Sequence, residues 1–269
     1  MPKSVCFDVL GTCFHFQPLI DLISKIINRN GNNDKMNIDA CTLFHSWFYA
    51  AQRDFTYLSI CKSYTPIAQV LQQTLRRACA IVDFPNPETN ITDQDLEDIM
   101  TAIQRLPPRN GLRECFNGLR SAGWQVYAVT NGSKPASLTY FELANIELDA
   151  AHLLSCDDIE VAKPDPKVYE NAKQWLESQQ CENNTVLRDG RSGSQRWFVA
   201  AHSWDLFAAR GAGFKTAWVA HEEGDPCTEL FGECDVAAKG LRECLEMMKS
   251  VDKLDVDVGL RTGTEGDGK

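Results

Sequence analysis

Four polar side chains follow strand-like runs, and their types suit nucleophilic chemistry. Asp8 follows "SVCF", Thr130 and Asn131 close "VYAVTN", Lys163 lies in "VAKPDP", and Asp205 ends "WFVAAHSWD". A carboxylate beside a lysine stays ionised and can attack as a nucleophile, while the ammonium steadies the charge of what it attacks. The hydroxyl of Thr130 and the backbone N–H groups of the Gly11–Thr12 loop are suited to hold an anionic substrate. Asp205 is one candidate for activating water, and the imidazole of His202 beside it is another. Each residue also has a plainer use: Asp8 as a loop cap, Lys163 as a solvated loop residue, Thr130 in a turn, Asp205 as a helix cap. Their shared placement at strand ends favours the chemical reading.

The elements that must carry them can be read from periodicity. Residues 4–9 read as a buried strand. A helical texture follows from about 17 to 105. In it "QPLIDLISKIINRNG" places Leu19, Ile20, Leu22, Ile23, Ile26 and Ile27 on one face, and Thr92 is the expected N-cap of "TDQDLEDIMTAIQRL". "PPRNG", Pro107 to Gly111, reads as a linker. Strands and helices then alternate, with "WQVYAVTNGS", "AHLLSCDDI", "RWFVAAHSWD" and "KTAWVAH" as strands and "KGLRECLEMMKSV" as the last helix. This alternation predicts an α/β fold, a Rossmann-like parallel sheet core with a helical cap inserted after the first strand. The expected division is a discontinuous core of residues 1–15 and 106–251, a cap of 16–105, and a disordered tail of 252–269. In open sheets of this kind ligands bind at the carboxyl ends of the strands, which places the four polar groups on one rim beneath the cap.

Composition narrows the function classes. The chain has 269 residues with a formal charge of −10, which leaves no basic stripe to neutralise phosphates and argues against nucleic acid as a partner. No apolar run approaches the ~20 residues of a membrane span, and no secretory h-region opens the sequence. Its 11 cysteines form no C-x-x-C pair, which fits reduced thiols in a cytoplasmic protein and no bound metal. The polar stretch over 181–196 reads as an inserted loop.

Taken together, "FDVLGT", "VTNGS", "AKPDP" and "WFVAAHSWDLFAARGAGFKTAWV" resemble, in order, the four motifs of the haloacid dehalogenase superfamily. The resemblance runs from residue 4 to about 250. Phosphatases of that superfamily carry a second Asp two residues after the nucleophile, where Leu10 stands here, and two acids in the last motif, where Ala201 replaces the first. An apolar side chain transfers no proton, and Mg²⁺ prefers oxygen ligands. The branch lacking the second Asp is that of the L-2-haloacid dehalogenases. Resemblance to it implies that Asp8 displaces halide from carbon, that Asp205 activates the water that hydrolyses the ester, and that no cofactor is needed. It implies that Thr12, Thr130, Asn131 and Lys163 hold Asp8 and the substrate carboxylate. Tyr169 matches a tyrosine that follows the lysine motif, and homodimers are common in the branch. Departures stand at Leu10, where relatives have Tyr; at Tyr49, where a cap-helix Arg helps receive halide; and at Ala200, Ala201 and His202, where Ser-Ser-Asn is usual. These leave open a larger, more apolar substrate undergoing hydrolysis, elimination or cyclisation, and a non-enzymatic binding role.

Overall fold

A computed structural model describes residues 3–29, 38–182 and 195–262. Six parallel strands form one sheet: β1 (Lys3–Phe7), β2 (Trp124–Thr130), β3 (Leu153–Ser155), β4 (Gln195–Ala200), β5 (Lys215–Val219) and β6 (Val236–Ala238), in the order β3-β2-β1-β4-β5-β6. The strands are short, apolar runs buried on both faces, as a parallel sheet covered by helices requires. Side chains alternate between those faces. Val5, Phe7, Val126, Ala128, Trp197 and Val199 join one apolar cluster, while Cys6, Tyr127, Val129, Phe198 and Ala200 join the other.

Among the described residues five helices lie between β1 and the linker at 107–111: α1 (Gln17–Ile27), α2 (Ala40–Ile60), α3 (Ile67–Ile81), α4 (Pro87–Asn90) and α5 (Asp93–Ile103). Their interior, built on Leu19, Ile23, Phe44, Trp47, Phe55 and Leu71, is continuous with the first sheet face. Asp39 caps α2 by accepting from Thr42 N–H at 2.7 Å. Thr92 caps α5 in a capping box with Asp95. Beyond the linker come α6 (Leu112–Ser121), α7 (Lys134–Leu143), α8 (Pro166–Glu182), α9 (Ser203–Gly211), α10 (Thr228–Phe231) and α11 (Leu241–Thr262). Residues of α6, α7 and α11 pack on the first face, and Val168, Tyr169 and Leu176 of α8 with Leu206 and Ala209 of α9 pack on the second.

β1 is central, with Phe7 level with Ala128 of β2 on one side and Val199 of β4 on the other. From β1 the chain builds the sheet outward through β2 and β3, then returns to the other side of β1 for β4. Asp8 therefore leaves the sheet at its topological switch point, where open α/β sheets form a crevice.

Three expectations need correction. The fourth strand ends at Ala200, and Asp205 stands in the first turn of α9 rather than on a strand. The α/β alternation also includes α10 and β6, which were not anticipated; their apolar runs are too short to show a period. The tail is helical to Thr262, so disorder does not begin at residue 252. Asp252 is buried and paired with Lys3, which ties the extended helix to the first strand. Residues 263–269 and most of the 181–196 stretch, 183–194, lie outside the described residues. Among the described residues no helix is long and apolar enough to cross a membrane.

Candidate active site

The carboxyl ends of β1, β2 and β4 bring Asp8, Thr130 and His202 to one rim, and the turn before α8 brings Lys163 to meet them. Lys163 is 1% exposed, so the aliphatic stem of a long lysine is fully enclosed. Its ammonium donates to Asp8 Oδ1 at 2.9 Å and to Asp205 Oδ2 at 2.8 Å. The other oxygen of Asp8 accepts from the Thr12 hydroxyl at 2.7 Å. Thr12 in turn accepts from Ala201 N–H at 2.9 Å, so one hydroxyl ties the nucleophile loop to the end of β4. The other oxygen of Asp205 accepts from the Tyr169 hydroxyl.

Burial sets the electrostatics of this chain of contacts. Burial opposes the charge on Lys163, but the carboxylates of Asp205 and Asp8 outweigh it and hold the ammonium above its ordinary pKa. Burial raises Asp205, which Lys163 only partly offsets. Burial, reinforced by the charge of Asp205, raises the Tyr169 phenol well above its usual range, so it stays a donor.

His202 is buried beside Asp8, with Nδ1 at 3.9 Å from Asp8 Oδ2, a separation that suits a bridging water better than a direct bond. Its Nε2 has no hydrogen-bond partner among the described residues. The ring packs against Trp204 at a centroid distance of 5.3 Å and meets the edge of Tyr49 at 6.5 Å. Above this group lies a cleft of about 540 Å³ lined by Lys163, Asn131, Tyr49, Arg53, Trp204 and Glu222 among others.

The residues singled out from the sequence fall into three sets. Asp8, Thr12, Lys163, Tyr169 and Asp205 form one connected network, with His202 at its edge. Asn131 and Tyr49 reach the cleft; Asn131 Oδ1 also accepts from Lys163 N–H at 3.0 Å, fixing the lysine's backbone. Thr130 is fully buried and its hydroxyl accepts from Gly132 N–H at 3.0 Å, so it shapes the turn after β2. Leu10 is partly buried against the apolar core and lies near Gly132.

Several neighbours were missed. Glu222 and Glu223 line the cleft, and Glu223 accepts from Ser203 N–H at 2.8 Å at the start of α9. They directly follow β5, so the strand-end rule that singles out Asp8 also marks them. His15 and Phe16 line a separate, smaller cavity rather than the cleft. Arg53 reaches the cleft but is largely solvent-facing and bonded to Asp54.

Comparison with known proteins bears on the family and the fold. The (S)-2-haloacid dehalogenase of Pseudomonas sp. (strain YL) is 24% identical over 249 residues, covering 92% of this chain and 95% of that protein. The (S)-2-haloacid dehalogenase H-109 of Pseudomonas putida is 26% identical over 218 residues, covering 81% and 85%. Among solved structures, the L-2-haloacid dehalogenase of Xanthobacter autotrophicus superposes with a TM-score of 0.69 at 18% identity, over 93% of this chain and 99% of that one. At such identity the superposition establishes the fold. The family model for haloacid dehalogenase-like hydrolases matches residues 2–213, a span that includes Asp8, Lys163 and Asp205, and the chain belongs to that family.

Proposed function

We propose that the protein is a metal-independent hydrolase that cleaves a carbon–halogen bond through an ester formed on Asp8. The observation that carries this reading is the Lys163 ammonium, enclosed between Asp8 and Asp205 at the switch point, in a residue that also borders the cleft. Several named relatives are (S)-2-haloacid dehalogenases, which points to a 2-haloacid or a derivative of one as substrate.

In this scheme an Asp8 oxygen attacks the carbon bearing the halogen. The C–O bond forms as the carbon–halogen bond breaks, and the halide leaves with the bonding pair. Halide needs no proton, which accords with Leu10 in place of an acid. Lys163 and Thr12 orient the carboxylate before attack, and orientation of this kind supplies much of a barrier reduction. Water then attacks the ester carbonyl of Asp8 and passes its proton to His202, whose Nδ1 lies 3.9 Å from Asp8 Oδ2. The tetrahedral intermediate collapses, releasing the product alkoxide, which takes the proton back. Asp205 is better suited to hold Lys163 than to activate water, because both its oxygens are already engaged. Helices α1–α5 serve as a cap: Thr56 donates to Lys163 O at 3.2 Å, and Ser59 accepts from Ala162 N–H at 3.0 Å.

Metal independence rests on the donor set. Lys163 occupies the space between the two carboxylates that a bridging cation would need, and among the described residues no three His, Cys, Asp or Glu side chains gather as ligands. Mg²⁺ requires near-octahedral oxygen coordination, and these residues do not fit it.

A second reading keeps Asp8 as the nucleophile but enlarges the substrate. The cleft volume of about 540 Å³, with Tyr49, Tyr57 and Trp204 on its walls, exceeds the need of a three-carbon acid. The test is halide release from 2-chloropropionate and from bulkier 2-halo compounds, with Asp8→Asn as control, followed by one turnover in H₂¹⁸O. Heavy oxygen in the Asp8 carboxylate supports the ester. Product formed without that label refutes the scheme.

A further inference from the structure

The nucleophile loop is gripped from outside by a charge pair drawn from two other loops. Arg109 lies in the linker between α5 and α6. Its backbone N–H donates to Cys13 O at 2.8 Å, and its Nε donates to Gly11 O at 3.0 Å. The same linker accepts from His15 N–H through Pro107 O at 3.1 Å, so it runs alongside the loop that carries Asp8. The Arg109 guanidinium pairs with Glu222, and the two side chains are 19% and 6% exposed. Glu222 also presses on Gly11, where an added Cβ would come within 2.9 Å of Glu222 Cγ and 3.2 Å of His202 Cε1. Glu222 thus forms part of the cleft wall, and behind it lies a second cavity of about 280 Å³ that Arg109 also lines.

We propose that the Arg109–Glu222 pair is a positioning device for the Gly11 peptide, and through it for the Asp8 carboxylate and the His202 ring. The proposal rests on Asp8 being the nucleophile. Stability alone is a poor reason to keep such a pair, because two desolvated charges can be exchanged for apolar side chains at little or no loss. A glycine peptide three residues from the nucleophile is different. Gly11 has φ +83°, a conformation glycine readily leaves for others, and its carbonyl has Arg109 as the side-chain donor that fixes it. Misplacing a reacting group by about 1 Å can cost on the order of a hundredfold in rate.

The test uses Arg109→Met, Glu222→Leu and the double variant in the full-length protein. Each single change strands a buried charge and lowers Tm, and the double variant restores Tm. In the double variant kcat for halide release stays at least about tenfold below wild type with KM nearly unchanged, because the Gly11 carbonyl is still unheld. Hydrogen exchange in the peptide spanning residues 8–16 quickens in all three variants. Recovery of kcat together with Tm in the double variant overturns the proposal, and so does unchanged exchange in that peptide. Should the wild-type protein release no halide at all, the Asp8 reading fails, and the exchange measurement alone decides whether the clamp exists.

Discussion

Replacing Lys163 with methionine tests the electrostatic core of the site directly. Methionine fills much the same volume and removes only the charge. Both carboxylate oxygens lie within 2.9 Å of the one Nζ, so they are less than about 6 Å apart. At an effective dielectric of about 20, two negative charges at that spacing repel by roughly 3 kcal/mol, or about two pH units. Full ionisation of the variant's Asp8–Asp205 pair is opposed by that amount, so at a pH on the acid limb about a hundredfold fewer molecules carry both charges. Leaving buried charge unpaired also costs about 3–5 kcal/mol of stability. The sign of its pH dependence follows from linkage. The native pair binds its proton more tightly than unfolded carboxylates do, so the variant is closest to wild type below about pH 4 and loses stability as pH rises through the pair's elevated pKa. Halide release measured across pH should show the acid limb moved up by about two units, with activity about a hundredfold below wild type at pH values on that limb. Urea unfolding at pH 8 and pH 5 should show the larger deficit at pH 8. Wild-type kcat with an unmoved acid limb would refute the reasoning.

Other perturbations separate the remaining parts. Gly11→Ala places a Cβ against Glu222 at a residue of φ +83°, and should lower the urea-derived stability by more than about 1 kcal/mol and abolish turnover; an active, undiminished variant would remove the constraint argued for this loop. His202→Asn should leave the first step intact and stall the second, so that mass spectrometry of quenched reactions finds the Asp8 peptide heavier by the substrate's carboxyalkyl group; normal steady-state turnover would transfer the base role elsewhere. His221 is pushed down to about 4, chiefly by burial and then by Arg109. A histidine depressed in the folded state contributes stability that is present above its unfolded pKa of about 6.5 and is lost as pH falls through the folded value. His221→Gln should flatten the decline of unfolding free energy between pH 6.5 and 4, a change worth roughly 2–3 kcal/mol that titration of Tm against pH would detect.

Much of this site could be read before any coordinates because its residues obey one rule. Asp8, Thr130 and His202 each follow an apolar strand, and a strand end in a parallel sheet is where a polar side chain can face a crevice while its strand stays buried. Lys163 was recognisable from its neighbours in "AKPDP", but its enclosure was not, since no local pattern says that a loop lysine will bridge two acids distant in sequence. Asp205 shows how a boundary error can leave chemistry intact. The strand stops at Ala200, yet the first turn of α9 carries the carboxylate back to Lys163. Glu222 and Glu223 were within reach of the same rule, because "EEG" follows "KTAWVAH" as Asp8 follows "SVCF". Acidic residues after a strand are mostly solvated loop residues, so their type alone does not set these two apart. Arg109 is the opposite case. It sits in "PPRNG", whose composition marks only a linker, and its two partners, a glycine carbonyl and a glutamate beyond β5, leave no trace in periodicity. What sequence conveys well is the set of groups that could react. What it conceals is the set that holds them still, because positioning depends on backbone carbonyls and on contacts between distant loops, and neither has a residue-type signature. Rate in an enzyme of this kind depends on both sets, so variants at Arg109 and Glu222 are as informative about mechanism as variants at Asp8.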